Sequence, residues 1–315
     1  MSGPPSGRVL VIGGGTMGTG IAACLAAAGI ETVLQIRRSG MVRETLEVSR
    51  RRIRQLVELG VASGEITPAI SVVAEETRGP FVLAIESVPE DFDAKHRALA
   101  AAEAAVGEHG IVTTNTSSLS LAELARPLTR PERFAGWHWF NPAELVQLVE
   151  VVGTPATEST VLRQLTDLSR FLHKEPVALA HETPGFVANR LQYALIREAY
   201  ALLESGVCSA EDIDRAVVAG LGARWAAIGP LASMDAAGLD VHETVAERLF
   251  PQLSRATSPP SLLRESRARG DLGVKSGRGL RGDYRPDAAA RMAAHRDAIL
   301  AALARARQRG DGREL

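Results

Sequence analysis

Cysteine is scarce in this sequence, and neither sign of charge predominates. The two cysteines, Cys24 and Cys208, stand too far apart to match a metal-ligand spacing or a disulfide framework. Lysine and arginine number 36 and the acidic residues 37, a net charge of −1 that argues against nucleic acid or an anionic membrane as the main partner. No apolar run approaches the length of a membrane span, and residues 1–7 do not resemble a signal peptide. We therefore expect a cytoplasmic protein that holds no metal.

Glycines punctuate the beginning of the chain. An apolar run at residues 9–12 meets glycines at 13, 15 and 18, and the alanine-rich segment 20–29 follows. This pattern predicts a strand, a tight turn and a helix. Gly13 serves the turn, Gly15 lets the backbone approach a pyrophosphate, and Gly18 permits close packing of helix on strand. Since a helix N-terminus presents free N–H groups to phosphate, the sequence predicts dinucleotide binding.

The residues after the second predicted strand, 31–36, bear on the choice of cofactor. NAD-binding domains usually carry an acidic residue about twenty positions after the glycines, to hold the ribose 2′-hydroxyl. This chain has Ile36 there, followed by Arg37, Arg38 and Ser39. Two guanidinium groups and a hydroxyl suit a 2′-phosphate, so NADP is predicted in preference to NAD. The alternative is that the arginines open a solvated helix and the backbone alone holds NAD.

Two further apolar runs, 81–85 and 111–114, predict buried strands, and an alanine-rich helix is predicted between them at 91–107. Polar residues follow each strand, at 86–90 and 115–118. Ligands bind outside the carboxyl ends of strands in an open parallel sheet, so both polar segments are expected at one crevice. The fold class predicted is therefore α/β, with a doubly wound, mostly parallel sheet.

The chain changes character after the turn Thr183-Pro184-Gly185. No strand pattern follows, and helices are predicted at 186–206, 210–220, 230–250 and 288–307. The sequence therefore predicts a dinucleotide-binding domain over residues 1–183 and an all-helical domain over residues 184–315.

Six motifs in chain order resemble the signatures of the 3-hydroxyacyl-CoA dehydrogenase family. They are the glycine motif, Asn115-Thr-Ser-Ser-Leu119, Phe134-Ala-Gly-Trp-His-Trp-Phe-Asn-Pro142, Leu148-Val-Glu-Val-Val152, Thr183-Pro-Gly-Phe-Val-Ala-Asn-Arg190 and Gly273-Val-Lys-Ser-Gly-Arg-Gly279. The resemblance covers residues 8–284. It implies a Rossmann-type domain followed by a helical domain of the 6-phosphogluconate-dehydrogenase type. It also implies oxidation of an L-3-hydroxyacyl substrate, and a homodimer formed through the helical domain.

His138 and Glu150 are the candidate catalytic pair. Removal of hydride from a secondary alcohol requires a base for the hydroxyl proton, and histidine suits that task near neutral pH. Glu150 lies in the otherwise apolar run 148–152, where a carboxylate could orient the imidazole and stabilise its cation. Taken singly, His138 is equally well a core histidine and Glu150 a residue on a strand surface.

The resemblance assigns further residues. Ser117 would hydrogen-bond the substrate oxygen, and Asn189 would help hold the imidazole and the developing charge. Alternatively, Ser117 caps a helix predicted at 119–125, although Ser118 is the better cap candidate, and Asn189 is a helix-surface amide. The implied cofactor contacts, together with those argued from the glycines and arginines, are Gly13, Gly15, Thr16, Met17, Gly18, Arg37, Arg38, Ser87, Glu90, Lys95, Asn115, Ser117, Asn141 and Lys275. Taken alone, Lys95 and Lys275 are ordinary surface lysines.

The substrate is less sharply defined. The motifs at 134–142 and 148–152 resemble the acyl-CoA enzymes, and an L-3-hydroxyacyl thioester is the leading prediction. The segments 189–194 and 220–231 instead resemble the gulonate and carnitine dehydrogenase branch, in which Arg224 could clamp a free carboxylate; its alternative role is to bond carbonyls at a helix end. Gln147 stands where thioester enzymes often have lysine. A carrier-protein thioester and a non-catalytic structural or cofactor-sensing role are the remaining alternatives.

Overall fold

The computed structural model describes residues 6–62 and 69–308, which form two compact units. The first contains the described residues up to Val187 together with Leu300–Gln308, and the second contains Ala188–Ile299. The division falls four residues after the sequence-based boundary at 183. Residues 300–308 belong with the first unit, where Ala301 and Ala304 are buried.

The first unit is built on an eight-stranded sheet of order β3-β2-β1-β4-β5-β6-β7-β8, in which only the β6–β7 pair is antiparallel. Its strands are β1 (Arg8–Ile12), β2 (Thr32–Gln35), β3 (Ile70–Val73), β4 (Phe81–Glu86), β5 (Val106–Thr114), β6 (Phe134–Trp139), β7 (Leu148–Gly153) and β8 (Glu175–Leu179). The order reverses between β1 and β4, which places a ligand crevice at their carboxyl ends. The predicted fold class is confirmed.

Helices cover both faces of the sheet. They are α1 (Thr16–Ala27), α2 (Val42–Glu58), α3 (Phe92–Ala105), α4 (Leu121–Ala125) and α5 (Ser159–Phe171). Residues of α1, α2 and α5 share one apolar cluster, and those of α3 and α4 share the other. The prediction of Ser118 as a helix cap is wrong. The cap of α4 is Ser120, whose hydroxyl accepts the Glu123 N–H at 3.4 Å, and the helix therefore begins at Leu121.

The second unit is mainly helical, as predicted. The helices are α6 (Ala188–Glu204), α7 (Ala210–Ala216), α8 (Ala223–Ala227), α9 (Pro230–Ala237), α10 (Leu239–Leu249), α11 (Ser261–Arg269) and α12 (Ala288–Gln308), whose last turns belong to the first unit. The expectation of a unit without strands needs one correction, because Arg278–Gly279 (β9) and Gly282–Asp283 (β10) form a small antiparallel pair. The helix predicted at 230–250 is broken at Gly238, where φ is +100°.

No single helix among residues 6–62 and 69–308 combines the length and the apolar character of a membrane span. A bent pair, residues 210–227 with 230–237, meets the criteria of length and composition only when its two parts are taken together.

Candidate active site

The glycine turn between β1 and α1 leaves a cradle that side chains would fill. A Cβ atom at Gly13, where φ is +127°, would collide with the Ser87 carbonyl oxygen, and one at Gly18 would collide with the Gly13 carbonyl oxygen. At Gly15, the N-cap of α1, no atom of the described residues other than its chain neighbours lies within 4 Å of an added Cβ. Because glycine has no side chain, Gly15 cannot cap the helix, and α1 begins at Thr16 and Met17 without a side-chain cap. Free N–H groups beside open space fit the pyrophosphate of a dinucleotide.

The end of β2 is apolar and basic. Ile36 is buried, and a Cβ added at Gly14 would lie 2.5 Å from the Ile36 Cγ2 atom. Arg37 and Arg38 follow on the surface. Within the described ranges neither guanidinium group has a hydrogen bond or an ion pair, so both remain available to an anion.

His138 and Glu150 occupy opposite positions of the antiparallel β6–β7 pair, so that both side chains project on the same face. The His138 Nδ1 atom lies 2.9 Å from Glu150 Oε2, and both residues are buried. The second carboxylate oxygen accepts the Val187 N–H at 2.9 Å. Because the carboxylate holds a proton on Nδ1, the other ring nitrogen, Nε2, is left to exchange a proton with a ligand.

The neighbours of His138 on β6 point away from it. The Trp137 indole N–H donates to the Ser169 hydroxyl at 2.9 Å, within the apolar cluster beneath α5, and the Trp139 ring packs edge-on against Trp137. The aromatic side chains beside His138 are instead Phe140 and Phe186, with ring centroids 4.4 and 5.5 Å away. These two rings line the side of the imidazole.

Asn115 and Ser117 lie in the 115–120 loop, which joins β5 to α4. The Asn115 side-chain carbonyl accepts the Trp139 N–H at 2.8 Å, so it ties this loop to the end of β6. Ser117 donates both its N–H and its hydroxyl to Glu90 Oε1, at 2.6 and 2.9 Å. Burial raises the pKa of Glu90, but the Ser117 N–H, the charge of Lys95 and neighbouring hydroxyls outweigh it and hold the pKa below 4.5. Glu90 is therefore ionised.

Lys95 is not the surface lysine that the sequence suggests when it is considered alone. It is 1% exposed, and its ammonium group donates to both oxygens of Glu86 and to the Val88 carbonyl. Its Nζ atom also lies 3.3 Å from Glu90. Sequence reasoning missed Glu86, although a carboxylate that ends an otherwise apolar strand was a usable signal.

The remaining candidates are placed as follows. Asn141 is exposed two residues after the end of β6, and its peptide bond to Pro142 is cis. Asn189, Arg224 and Lys275 belong to the second unit. Asn189 is half-buried in the first turn of α6, whereas Arg224 in α8 and Lys275 in the turn before β9 are exposed. Their roles stay predictions.

The doubly wound sheet, the glycine cradle and a buried histidine–carboxylate pair define a nicotinamide-dependent oxidoreductase. Comparison with known proteins identifies the family. The NAD binding domain of 3-hydroxyacyl-CoA dehydrogenase matches residues 8–183, and the C-terminal domain of the same enzyme matches residues 185–282. This chain belongs to the 3-hydroxyacyl-CoA dehydrogenase family, whose members are NAD-dependent oxidoreductases acting on secondary alcohols.

Two relatives differ in the substrates that they are named for. Human mitochondrial hydroxyacyl-coenzyme A dehydrogenase is 34% identical over 294 residues, which cover 87% of this chain and 90% of that enzyme. The 5-formyl-3-hydroxy-2-methylpyridine 4-carboxylate 5-dehydrogenase of Mesorhizobium japonicum is 32% identical over 301 residues, covering 95% and 97%. A crystal structure of a 5-dehydrogenase of that pyridine carboxylate, described as an NAD⁺-dependent dismutase, superposes with a TM-score of 0.88 at 32% identity and the same coverage.

Proposed function

We propose that this chain interconverts an L-3-hydroxyacyl thioester of coenzyme A and the 3-oxoacyl thioester. The contact of 2.9 Å between His138 Nδ1 and Glu150 Oε2 carries the proposal, because it prepares a base for the substrate hydroxyl. His138 Nε2 takes the hydroxyl proton during oxidation and returns it during reduction, and Glu150 stabilises the imidazolium. Ser117 and Asn189 bond the reacting oxygen. The cofactor, when bound at the glycine cradle, accepts or supplies the hydride.

The test is oxidation of NADH and NADPH in the presence of acetoacetyl-CoA, by the natural chain and by His138→Asn. We expect the substitution to lower kcat by about 10²–10⁴-fold, because it removes the general base. Binding of reduced cofactor, followed by its fluorescence, should be retained. If the natural chain is active and His138→Asn turns over at the same rate, the proposed role of His138 is contradicted. If neither protein turns over substrate, the non-catalytic alternative is favoured.

A small free 3-hydroxy acid is the second candidate substrate. The pyridine-carboxylate dehydrogenase supports it, because the similarity runs from end to end of both chains. In this case Arg224 clamps the carboxylate, so Arg224→Leu should damage turnover of free acids and spare thioesters. Arg248→Leu, another exposed helical arginine of the same unit, is the control. Equal losses on both substrate classes would assign Arg224 a structural task, and activity on carrier-protein thioesters alone would identify the third alternative.

We also propose a preference for NADP. The exposed, unpaired arginines Arg37 and Arg38 and the apolar Ile36 support it, since no carboxylate follows β2 to hold a ribose hydroxyl. The double change Arg37→Asp with Arg38→Ala should shift the ratio of kcat/KM values toward NADH. An unaltered ratio would contradict this role of the two arginines and would favour the alternative, in which the backbone alone holds NAD.

We propose a homodimer formed through the second unit. Its support is the apolar surface of that unit, in which no residue of α6, α7, α9 or α10 is buried within the chain. Exposed apolar area of this extent marks an interaction surface. The cytoplasmic location stays a prediction from the sequence.

A further inference from the structure

Glu86 lies at the end of β4 with its side chain completely buried, and its carboxylate is fully used. Lys95 Nζ donates to its two oxygens at 2.9 and 3.0 Å, the Val88 N–H donates at 2.6 Å, and the Thr114 hydroxyl donates at 2.5 Å. A buried ion pair contributes little net stability, because desolvation offsets the attraction. The value of this pair therefore lies in the groups that it fixes in place.

The first route from Glu86 runs through charge. Lys95 Nζ is held by Glu86 and lies 3.3 Å from Glu90 Oε2. Glu90 in turn accepts the N–H and the hydroxyl of Ser117, and the hydroxyl of Thr116 at 2.9 Å. The charges alternate in sign from Glu86 to Glu90, and the chain ends on Ser117.

The second route runs through hydroxyl groups. Thr114 donates its hydroxyl to Glu86 and accepts the Thr116 N–H at 3.2 Å. The Thr116 hydroxyl donates to Glu90 and accepts the Leu119 N–H at 3.1 Å. Both routes thus converge on the 115–120 loop, and each group in them has a defined hydrogen-bond direction.

We infer that Glu86 is a positioning residue for the reaction, acting through Lys95 and Glu90 to fix the place and the hydrogen-bond direction of Ser117. The Ser117 N–H and hydroxyl both donate to the ionised Glu90, so the network fixes the position of the Ser117 side chain within the 115–120 loop. This inference rests on the proposed contact between Ser117 and the substrate. Glu86 itself does not contact the substrate, because its side chain is completely buried and bonded to Lys95 and Thr114.

A double-mutant cycle tests the inference. Glu86→Gln keeps the shape of the side chain and removes the charge that holds Lys95. A misplacement of about 1 Å at a reacting group costs about 100-fold, so we expect kcat/KM to fall by about 10–100-fold. In a Ser117→Ala background the same substitution should cost less than about twofold, since residues that act through one another are not additive. A purely structural effect would instead multiply with that of Ser117→Ala.

Glu103→Gln is the matched control. Glu103 is a carboxylate on α3 that also holds a loop, by accepting the N–H groups of Thr129 and Arg130 at 3.0 and 2.8 Å. None of its recorded contacts reaches the 115–120 loop, so its kcat/KM should stay within about twofold of the natural value while its melting temperature falls. Glu86→Asp, which keeps the charge and shortens the side chain, is the second variant if Glu86→Gln melts below the assay temperature. It should show the same dependence on Ser117.

The outcomes separate this inference from the proposed function. Equal losses from Glu86→Gln with and without Ser117 overturn the inference and leave the His138–Glu150 pair intact. No loss in Ser117→Ala, with a large loss in His138→Asn, also overturns it. No loss in His138→Asn overturns the proposed function itself.

Discussion

At the scale of single residues, burial holds the Cys24 thiol in its protonated form. Burial raises the pKa of Cys24 from 9.0 to about 11, although the nearby charges of Lys174 and Arg52 lower it. Because the thiolate is the reactive species, we expect alkylation at pH 8 to be about two hundredfold slower than for an exposed thiol of ordinary pKa, about 8.5. In the Cys208→Ser variant a thiol reagent should therefore label the folded chain only marginally and label it fully in urea. Rapid labelling of that folded variant would contradict the expectation, and Cys24→Ser is the control.

Glu90 should make the free energy of unfolding depend on pH in the acidic range. Its folded pKa lies below the ordinary value, so its contribution is fully present above the unfolded pKa of about 4.3 and is lost as pH falls through the folded pKa. The difference in free energy of unfolding between the natural chain and Glu90→Gln should be largest at pH 7 and should shrink below pH 4. Urea titrations at several pH values measure it. A difference that does not change with pH would show that the shape of the Glu90 side chain, rather than its charge, holds the 115–120 loop.

Part of the candidate site was predictable from sequence, because its residues stand at strand ends that a parallel sheet brings together. His138 and Glu150 lie on adjacent strands, and their spacing in the sequence is enough to bring the two side chains together once the strands pair in register. Lys95 could not be placed this way, since a lysine at helical spacing is normally solvated. Its burial depends on Glu86, which lies on another element nine residues away and is recognisable only when the fold brings the charges together.

At the scale of secondary-structure elements, Lys174 closes the turn that follows β6. This lysine stands just before β8, and its ammonium group donates to the carbonyls of Ala143 at 2.6 Å, Val146 at 2.9 Å and Glu144 at 3.4 Å. Burial lowers the pKa of Lys174, whereas the nearby charge of Glu144 raises it. Three carbonyl acceptors around one buried group indicate a fixed turn.

Lys174→Met should therefore loosen this turn. The methionine fills the space of the lysine stem but withdraws the donor from three carbonyls, so we expect the free energy of unfolding to fall by about 3 kcal/mol. Lys275→Met, at an exposed lysine, should change it by less than about 0.5 kcal/mol. Urea denaturation of both variants measures the effect. Equal stability of the two would mean that the carbonyls find other donors or water.

The elements were predicted best where an unbroken apolar run is buried, as in β1 and β4. β3 was missed because it has four residues at the edge of the sheet with an exposed position between buried ones. The break between α9 and α10 was missed because Gly238 can also lie inside a helix, and only the left-handed backbone there ends it. Such choices follow from packing, which a local pattern does not contain.

At the scale of the whole molecule, the apolar surface of the second unit predicts association. Leu231 is 80% exposed, Val218 72% and Phe250 68%. We expect light scattering to give the mass of a dimer, and Leu231→Glu or Phe250→Glu to raise the dimer dissociation constant at least tenfold, because a charge replaces apolar contact area. Met41→Gln, at an exposed methionine of the first unit, is the control. A monomeric natural chain at micromolar concentration would contradict the homodimer.

The return of residues 300–308 to the first unit bears on the order of synthesis. This segment supplies the buried Ala301 and Ala304, and the Arg305 guanidinium donates to the Leu59 carbonyl after α2. β1 is translated before this segment, with the whole second unit between them, and domains generally fold as they emerge. The first unit therefore buries Ala301 and Ala304 only after the second unit has been synthesised. Until then, one patch of its apolar core stays exposed.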